Sequence, residues 1–447
     1  MVKTSTSIFD FLSITATKDQ SKALYELEGF LQEPSENRAF VLTGSAGTGK
    51  TTLMKCLKDY LENIEIPFEL LAPTAKAASI LKRRTNWPAH TIHHLIYLPE
   101  QLEDGRVILN YRENETDGRT IYIVDEASMI QAENASSNEF ISQRPLLIDL
   151  LNYVFSGNPE NQIIFLGDTY QLNPVFEKQS PSLSAERLNS QFGLSAIQVT
   201  LREVVRQASD SPVLRLANQI KNLKDTNRSL YSLRPERLSS ESQAIAYFLT
   251  YFDIENLEEI VMICKSNEQV EDMNHKIREG LSFGNRILAV GDAVMLRANW
   301  MKGGIQLVNG ETGVIRSIST DIESRAGLKF TEAEIEFETD GEKRRIKSKI
   351  FIDSLTNPKG QISGEDLKNL KGDRMRFNAQ YRQSQMAKDD EYMNAMRLSY
   401  AYAITCHKAQ GSEWERVIFS PKIRPVDYEH LYTAITRAKN EVVTWWF

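Results

Sequence analysis

The sequence predicts an α/β protein of two lobes, each built on a parallel sheet and each interrupted by a small β-rich insert. Three observations support this fold class. Short, near-continuous apolar runs alternate with helical stretches, as expected for strands that are covered on both faces. A glycine-rich loop of the phosphate-binding type follows the first of these runs. Two further stretches combine short alternating strands with Asn-Gly or Asp-Gly turn signals, which predicts the inserts.

Bulk composition limits the class of protein. The chain has 447 residues, of which 41% are hydrophobic and 25% charged, as in an ordinary globular protein. Its three cysteines are far apart in sequence, which argues against a disulfide framework and predicts a reducing compartment. We find no apolar stretch of signal-peptide or membrane-helix length, so we expect a cytoplasmic protein without a membrane partner. The formal net charge of −7 argues against a chain-wide basic surface but leaves room for a local basic channel.

The strands of the two lobes are predicted from their apolar, β-rich runs. Those of the first lobe are Ala39–Thr43, Phe68–Ala72, Thr120–Val124, Gln162–Leu166 and Ala196–Leu201. Those of the second lobe are Glu259–Cys264, Val417–Phe419 and Glu441–Trp446. Because helical stretches separate the runs, parallel sheets are expected.

Turn signals mark the two inserts. Around Val107–Tyr111 they predict a small hairpin within Leu95–Gly118, between two strands of the first sheet. Short alternating strands in Gly291–Lys349 predict a small antiparallel barrel or sheet. The polar residues Thr356–Met396 are predicted to cover it as loop and helix. The predicted domains are a first lobe (1–90 and 118–206), a hairpin insert (91–117), a second lobe (207–290 and 397–447) and a β insert (291–396).

The segment Gly44–Thr51 matches the complete phosphate-binding loop pattern, and the predicted helix Thr52–Glu62 follows it. Glycines let backbone N–H groups approach phosphate oxygens, and a helix N-terminus favours negative charge. Lys50 is expected to reach the β- and γ-phosphates, and Thr51 to hold Mg²⁺. The predicted nucleotide-binding residues of this loop are Gly44, Ser45, Ala46, Gly47, Thr48, Gly49, Lys50, Thr51 and Thr52.

Polar residues also follow two later strands of the same predicted sheet. Asp125 is expected to bind Mg²⁺ through water, and Glu126 to activate the attacking water as general base. Taken alone, such a pair of carboxylates is also typical of a helix cap. Gln171 is predicted to contact the γ-phosphate and to report its loss; the alternative is a polar turn after a strand.

Together these segments resemble the ordered motifs of superfamily 1 helicases. Motifs I to III are matched by Gly44–Thr51, Asp125–Ser128 and Gly167–Val175, and motifs IV to VI by Leu201–Gln207, Ala403–Glu413 and Tyr432–Ala438. Leu71–Ala77 resembles motif Ia. The form is most similar to subclass B, which includes RecD and the phage Dda helicase. The resemblance runs from about Gln20 to the C-terminus, and nothing in Thr356–Met396 contributes to it.

The resemblance implies a fold and an activity. The fold would be two RecA-like P-loop lobes, with the hairpin insert as a wedge and an SH3-like β insert in the second lobe. The activity would be ATP-dependent, Mg²⁺-requiring movement on single-stranded DNA, 5′ to 3′, with unwinding of forked duplexes. A monomer that works with replication or repair proteins is expected.

Further nucleotide contacts are implied by the same resemblance. Gln20 would read the adenine, and Gly411 would lie near the nucleotide. Arg206 and Arg437 would supply positive charge to the γ-phosphate, as an arginine finger does. For Arg206, the residues alone equally allow a surface salt bridge.

The resemblance also implies a nucleic-acid track. Its residues would be Pro73, Thr74, Lys76, His93, Asn173, Thr405, His407, Lys408 and Ser412. Among them, Lys408 would neutralise phosphate without reading sequence. For the neighbouring His90 and His94, packing at a helix start under the hairpin is an equal alternative to DNA contact.

Leu109 and Tyr111 are the candidates for the wedge, because apolar or aromatic side chains replace base stacking that is lost at a fork. Ordinary packing of a small hairpin is an equal alternative. Two other functions remain open from the sequence. One is an RNA helicase of the same superfamily, although no residue is identified that reads a 2′-hydroxyl. The other is a nucleotide-dependent nucleic-acid-binding scaffold without motor activity.

Overall fold

The computed structural model describes residues 6–101, 107–133, 140–141, 144–174, 177, 179–205, 211–226, 236–339, 342–356, 362–420 and 427–445. Within these ranges the chain forms two compact units. The first unit contains the described residues of Met1–Glu100, Val107–Tyr231 and Tyr428–Thr436. The second contains those of Gln101–Arg106, Ser232–Asp427 and Arg437–Phe447. The domain bounds given above stay a prediction.

The strands are given in chain order. They are β1 (Arg38–Gly44), β2 (Phe68–Ala72), β3 (Ala89–Thr91), β4 (Tyr97–Gln101), β5 (Val107–Tyr111), β6 (Ile121–Val124), β7 (Phe140–Ile141), β8 (Gln162–Gly167), β9 (Ser195–Leu201), β10 (Glu236–Leu238), β11 (Ile260–Cys264), β12 (Ala293–Leu296), β13 (Trp300–Lys302), β14 (Ile305–Leu307), β15 (Thr312–Ile318), β16 (Glu323–Arg325), β17 (Leu328–Thr339), β18 (Glu342–Phe351), β19 (Met396–Tyr400), β20 (Ala403–Thr405), β21 (Trp414–Phe419) and β22 (Ala438–Trp445).

The helices follow in the same order. They are α1 (Lys18–Gln32), α2 (Lys50–Asn63), α3 (Ala75–Thr85), α4 (Ile92–Ile96), α5 (Leu146–Gly157), α6 (Ala185–Phe192), α7 (Pro212–Thr226), α8 (Glu241–Tyr251), α9 (Asn267–Gly280), α10 (Asp353–Thr356), α11 (Gly364–Phe377), α12 (Ala379–Ser384), α13 (Cys406–Ala409) and α14 (Tyr428–Ile435).

The first unit is built on a six-stranded sheet with the order β3-β2-β6-β8-β1-β9. All its pairings are parallel, and it contains all five strands that were predicted for the first lobe. Alternate residues of β1 enter opposite cores, because successive strand side chains point to opposite faces. Phe40 and Leu42 pack in the cluster that includes α1 and α2, whereas Ala39 and Val41 pack in the cluster that includes α5.

A small sheet with the order β4-β5-β7 belongs to the hairpin region. The predicted strand at Val107–Tyr111 is confirmed with the same bounds. The region is more than a hairpin, since β7 pairs with β5 in parallel. β7 was not predicted, because a run of two residues is too short to show a hydrophobic period.

The second unit contains a five-stranded sheet with the order β10-β22-β21-β11-β20. Its strands pair in parallel, and the three strands predicted for the second lobe are β11, β21 and β22. Large rings fill the core beside it, and Phe248, Tyr402 and Trp445 are fully buried there. The α/β class predicted for both lobes is therefore confirmed.

The β insert is a second sheet of this unit, with the order β15-β12-β19-β18-β17-β16. An additional pairing of β15 with β17 closes five of these strands into a ring, which confirms a small barrel-like insert. Gly313 permits the closure, because a Cβ there would lie 2.8 Å from the backbone oxygen of Glu336 on β17. β19 adds to this sheet through an antiparallel pairing with β12 and a parallel pairing with β18.

Helices α11 and α12 lie within the polar stretch Thr356–Met396, whose role as a cover of the insert stays a prediction. Leu370 of α11 packs with Phe330, Phe351 and Tyr392 in a separate apolar cluster. The three cysteines are free and buried. Among the described residues, no helix is long and apolar enough to cross a membrane.

Candidate nucleotide site and nucleic-acid track

The phosphate loop of the first unit joins β1 to α2. Gly47 and Gly49 have φ values of 78° and 89°, in the left-handed region that favours glycine. A Cβ at Gly49 would lie 2.3 Å from Nε2 of Gln20, so the position also lacks room for a side chain. The loop therefore has the backbone conformation and the helix N-terminus that phosphate binding requires.

Lys50 is the first residue of α2 and folds back over this loop. Its Nζ donates to the carbonyl oxygens of Gly44 at 2.5 Å and of Ser45 at 3.3 Å. Both partners are neutral, and Lys50 forms no ion pair within the described ranges. The neighbouring Thr51 is exposed. A positive charge held by neutral carbonyls at a glycine-rich loop suits an anionic ligand.

Asp125 and Glu126 follow β6 on the same edge of the sheet. The backbone N–H of Asp125 donates to the Leu71 carbonyl at 2.9 Å, which continues the pairing of β6 with β2. Burial raises the pKa of the Asp125 carboxyl, and the positive charges of Lys50 and Arg84 oppose that shift. Glu126 has a φ of 50°, a left-handed backbone that costs a non-glycine residue about 1–3 kcal/mol. Such strain is typical of functional positions.

The residues present fit a Mg²⁺–nucleotide complex. Within the described ranges there is no group of three or more His, Cys, Asp or Glu residues that would hold a metal by themselves. Mg²⁺ at a phosphate site keeps waters and uses one or two protein oxygens together with the phosphates. The Thr51 hydroxyl and the Asp125 carboxylate are oxygens of that type.

Gln171 lies after β8, in the turn that begins at Asp168. Its side-chain Oε1 is buried, and no hydrogen-bond partner for it is found among the described residues. An unsatisfied buried acceptor costs about 1–3 kcal/mol. An amide oxygen only accepts hydrogen bonds, and an ionised phosphate oxygen has no hydrogen to donate. Oε1 of Gln171 would therefore accept a hydrogen bond from a water molecule and orient it. The role predicted for Gln171 stays a prediction, and the geometry favours contact with water.

Tyr432 was missed in the sequence analysis as a site residue, although it lies in motif VI. Its hydroxyl donates to Oδ2 of Asp168 at 2.7 Å and accepts from the backbone N–H of Ala46 at 2.9 Å. On the same helix, α14, the Thr433 hydroxyl accepts from the Leu172 N–H at 2.9 Å. Motif VI thus holds the phosphate loop and motif III together within the first unit. Separations of 264 and 386 residues hide such partners from any local pattern.

Gln20 is buried beside the phosphate loop. Its Nε2 donates to the Thr48 carbonyl at 3.0 Å, and its Oε1 accepts from the Thr17 N–H at 3.0 Å. The Thr17 hydroxyl in turn accepts from the Gln20 N–H at 3.2 Å, which completes a capping box at the start of α1. The structure therefore brings Gln20 to the nucleotide loop, while adenine reading stays a prediction.

The nucleic-acid candidates of the first unit follow two neighbouring strands. Pro73 and Thr74 follow β2, and His93 follows β3, whose end at Thr91 pairs with Ala72. The Thr74 hydroxyl caps α3 by accepting from the Ala77 N–H at 3.2 Å. His93 is exposed. Lys76 is in the first turn of α3, and Asn173 lies next to Leu172 after β8. These residues therefore belong to one edge of one sheet.

In the second unit, the candidates Thr405, His407 and Lys408 lie where β20 joins α13. The Thr405 hydroxyl caps this short helix by accepting from the Lys408 N–H at 3.4 Å. Thr405 and Lys408 line a cavity of about 350 Å³ together with Asn274, Arg278, Arg297 and Tyr400. Burial lowers the pKa of the Lys408 ammonium to about 8, and the positive charge of Arg297 adds to the shift. A phosphate in this cavity would relieve the repulsion between two cations.

Arg278 in the same cavity is already neutralised. Its guanidinium donates to both carboxylate oxygens of Asp292, at 2.8 and 2.9 Å, and stacks over Tyr400 at 4.3 Å. Arg278 is therefore a structural cation. Lys408, for which no ion pair is found among the described residues, is the group of the cavity that best suits an external phosphate.

The other candidates of the second unit lie together near the end of motif V. Gly411 has a φ of 77°, which a glycine adopts without strain. The Ser412 carbonyl accepts from Nη1 of Arg437 at 3.4 Å, and Arg437 is buried. Arg206 falls outside the described residues. Arginine-finger roles for both arginines stay predictions.

The wedge candidates pack inward. Leu109 and Tyr111 are partly buried against the core cluster of the first unit that contains Val124 and Leu147. The Arg144 guanidinium lies 5.1 Å from the centre of the Tyr111 ring. These contacts are those expected from ordinary hairpin packing, the alternative stated above, and a wedge role stays a prediction.

Two family models match the chain. Residues 17–234 match an AAA domain and residues 400–444 match a UvrD-like helicase C-terminal domain. The chain is 23% identical over 434 residues to the ATP-dependent RecD2 DNA helicase of Deinococcus radiodurans, covering 95% of this chain and 48% of that protein. It is 21% identical to a probable conjugal transfer protein TraA of Sinorhizobium fredii, covering 91% of this chain and 30% of that protein. The chain thus spans less than half the length of these curated relatives.

Solved structures resemble the whole described fold. The crystal structure of Pif1 helicase from Candida albicans has a TM-score of 0.51 at 15% identity, covering 97% of this chain and 95% of that one. A structure of Pif1 helicases at forked double-stranded DNA has a TM-score of 0.50 at 19% identity, covering 96% and 92%. At this level of identity the likeness concerns the fold.

Proposed function

We propose that this chain is a superfamily 1 helicase of subclass B, an ATP-driven motor that moves along single-stranded DNA and unwinds forked duplexes. One observation carries the proposal. The phosphate loop with Lys50, the carboxylates of Asp125 and Glu126, and Gln171 all lie at the carboxyl edge of one parallel sheet. This is the set of groups that phosphoryl transfer from a nucleoside triphosphate to water requires.

In the proposed hydrolysis, each residue has one task. Glu126 takes a proton from the attacking water, whose oxygen bonds to the γ-phosphorus while the bond to the leaving ADP oxygen breaks. Gln171 Oε1 accepts a hydrogen bond from that water and so orients it. Lys50 turns from the loop carbonyls to the β- and γ-phosphate oxygens. Mg²⁺, held by Thr51 and through water by Asp125, would neutralise phosphate charge.

Charge from the motif IV and VI arginines is part of the same proposal. Arg206 and Arg437 supply positive charge to the terminal phosphate, as the family resemblance implies. Gln20 reads the adenine, and Gly411 lies next to the nucleotide. Hydrolysis would then alter the contacts that hold these arginines, which couples the chemistry to movement.

Single-stranded DNA is the proposed track. In the first unit, Pro73, Thr74, Lys76, His93 and Asn173 would contact the strand. In the second unit, Thr405, His407, Lys408 and Ser412 would do so, with Lys408 binding phosphate at the mouth of its cavity. The proposed direction is 5′ to 3′, and the wedge candidates Leu109 and Tyr111 would act at the fork.

Strand displacement on forked and tailed duplexes tests the proposal. We expect unwinding with a 5′ tail and none with a 3′ tail, and phosphate release that single-stranded DNA stimulates. Lys50→Ala should abolish both activities. A folded sample whose phosphate release stays at background with every nucleic acid added would contradict the proposed function.

Removal of Mg²⁺ provides a second test of the nucleotide site. With EDTA in excess, phosphate release should stop and should return when Mg²⁺ is restored. Hydrolysis at the full rate in EDTA would contradict the roles given to Thr51 and Asp125.

A further inference from the structure

A second lysine lies at the phosphate loop. Lys221 is on α7, whose buried face is formed by the apolar residues Val213, Leu216, Ala217, Ile220 and Leu223. Lys221 directly follows Ile220, so its side chain extends from the border of the apolar face and is half-buried. Neither composition nor a motif singled it out. The helix brings it to a loop that is 176 residues away in sequence.

Its ammonium group contacts the loop directly. Nζ of Lys221 donates to Oγ of Ser45 at 3.0 Å, while Lys50 donates to the carbonyl of the same serine. The side chain crosses the face of Tyr170, with Nζ 4.9 Å from the ring centre. Tyr170 belongs to the turn after β8 and is fixed by its hydroxyl, which donates to Oδ2 of Asp225 at 3.1 Å. The Tyr170 ring therefore orients the Lys221 side chain toward the phosphate loop.

Lys221 forms no direct ion pair among the described residues, although the Asp168 and Asp225 carboxylates lie close enough to act on its charge. Lys221 and Lys50 both hydrogen-bond only to neutral oxygens, and neither forms an ion pair within the described ranges. The nearby Asp168 carboxylate accepts from Tyr432, and Asp225 accepts from Tyr170. Burial lowers the pKa of Lys221; the charges of Asp168 and Asp225 oppose that shift, and the charge of Lys50 adds to it. Two partly buried ammonium groups at one glycine-rich loop suit a polyphosphate better than a single phosphate.

We propose that Lys221 is a second cation of the nucleotide site and binds the terminal phosphate of a nucleoside triphosphate. Its position near Asp168 and Tyr170, in the turn that also carries Gln171, places it on the side where the γ-phosphate is expected. Lys50 would then serve the β- and γ-phosphates, and Lys221 the γ-phosphate alone. The inference rests on the proposed function and adds a residue that discriminates triphosphate from diphosphate.

Binding of a non-hydrolysable ATP analogue and of ADP, measured by fluorescence with purified variants of this 447-residue chain, tests the role. Lys221→Ala should weaken binding of the analogue roughly 10-fold, the lower end for a charge-assisted hydrogen bond, and leave ADP binding within about twofold. Lys221→Arg should retain most of the wild-type affinity for the analogue, because arginine keeps the positive charge.

Lys224→Ala is the matched control. Lys224 is on the same helix and lies over the same Tyr170 ring at 5.3 Å, but it pairs with Glu429 at 3.0 Å. It should change neither affinity. Equal weakening of analogue and ADP by Lys221→Ala, or no change in either, would overturn the assignment. A thermal melt of each variant separates loss of fold from loss of contact.

Nucleotide binding by the Lys50→Ala and Lys221→Ala variants distinguishes failure of the Lys221 proposal from failure of the proposed function. If Lys50→Ala loses nucleotide binding while Lys221→Ala binds like the wild type, the site stands and Lys221 has no part in it. If neither variant changes nucleotide binding, the loop is not the nucleotide site and both proposals fail.

Discussion

The two α/β sheets of the chain have similar architecture but opposite charges at their functional edges. In the first unit, strands β6 and β8 are followed by Asp125 and Asp168, beside a loop that carries Lys50. In the second unit, β11 is followed by Lys265, and β20 leads through α13 to Lys408. Carboxylates next to a phosphate loop are suited to activating water and holding Mg²⁺, whereas cations alone are suited to holding a phosphodiester.

The sheets therefore differ in what they offer a phosphate. The first unit supplies the backbone N–H groups of the phosphate loop, the carboxylate proposed as general base and the buried Oε1 of Gln171. The second unit has a cavity lined by Lys408 and Arg297, and Lys408 forms no ion pair within the described ranges. If the proposed roles hold, substitutions in the first unit should affect hydrolysis and those in the second should affect DNA binding.

The largest expected effect is on hydrolysis at the nucleotide site of the first unit. Lys50→Ala removes the loop cation, so phosphate release under saturating single-stranded DNA should fall by more than roughly 10³-fold. DNA binding, which we assign largely to other residues, should change little. A radiometric phosphate-release assay measures the first quantity, and anisotropy of a labelled oligonucleotide the second. Retention of wild-type turnover would remove the distinction between the two regions.

Glu126→Gln should separate nucleotide binding from hydrolysis. The amide is nearly isosteric but cannot take a proton from water, so kcat should fall by roughly 10²-fold or more. Because the phosphate loop is intact, affinity for a non-hydrolysable ATP analogue should stay within about threefold. Steady-state kinetics with parallel binding measurements check both parts. A variant that loses analogue binding but keeps kcat would assign Glu126 to binding instead of proton transfer.

Strand positions and the phosphate loop were predictable because their signals are local. The strand at Phe68–Ala72 was predicted with the bounds that the structure shows, and Ile121–Val124 to within one residue, since buried parallel strands are continuous apolar runs. The loop at Gly44 is specified by glycines whose positive φ values the structure shows for Gly47 and Gly49.

The remaining features depend on contacts that no local pattern contains. Tyr432 and Lys221 reach the phosphate loop only because α14 and α7 fold onto it. The strand β19 adjoins the predicted second lobe in sequence but joins the insert sheet through long-range pairing. Leu109 and Tyr111 were equally compatible with a wedge and with a core contact, because alternation along a strand does not say which neighbour covers each face.

Tyr432→Phe tests whether motif VI stabilises the first region. The change removes the donor to the buried Asp168 carboxylate and the acceptor for the Ala46 N–H. A charge-assisted hydrogen bond of about 1.5–3 kcal/mol corresponds to a Tm decrease of about 5 °C for a unit of this size. Differential scanning calorimetry checks it. Tyr25→Phe is the control, since Tyr25 is 71% exposed and should leave Tm unchanged. An unchanged Tm for Tyr432→Phe would mean that these hydrogen bonds add nothing to stability.

The smallest expected effect is on the second region and depends on pH. Because the pKa of Lys408 is lowered to about 8, the ammonium is mostly charged at pH 7 and mostly neutral at pH 9. Affinity for single-stranded DNA at low salt should therefore fall several-fold between these values, measured by anisotropy. Lys408→Gln should bind more weakly at pH 7 and lose most of this pH dependence.

The salt dependence of the same binding distinguishes a phosphate contact from an indirect effect. Lys408→Gln should have one phosphate contact fewer than the wild type. The slope of the logarithm of the DNA-binding constant against the logarithm of salt concentration should therefore be smaller by about 0.7 for a single strand. Lys368→Gln on the exposed face of α11 removes an equal charge from the unit and should leave both the slope and the pH profile unchanged. If both variants weaken DNA binding equally, the effect comes from net charge. The cavity of the second unit is then not the phosphate-binding site that its contrast with the first unit implies.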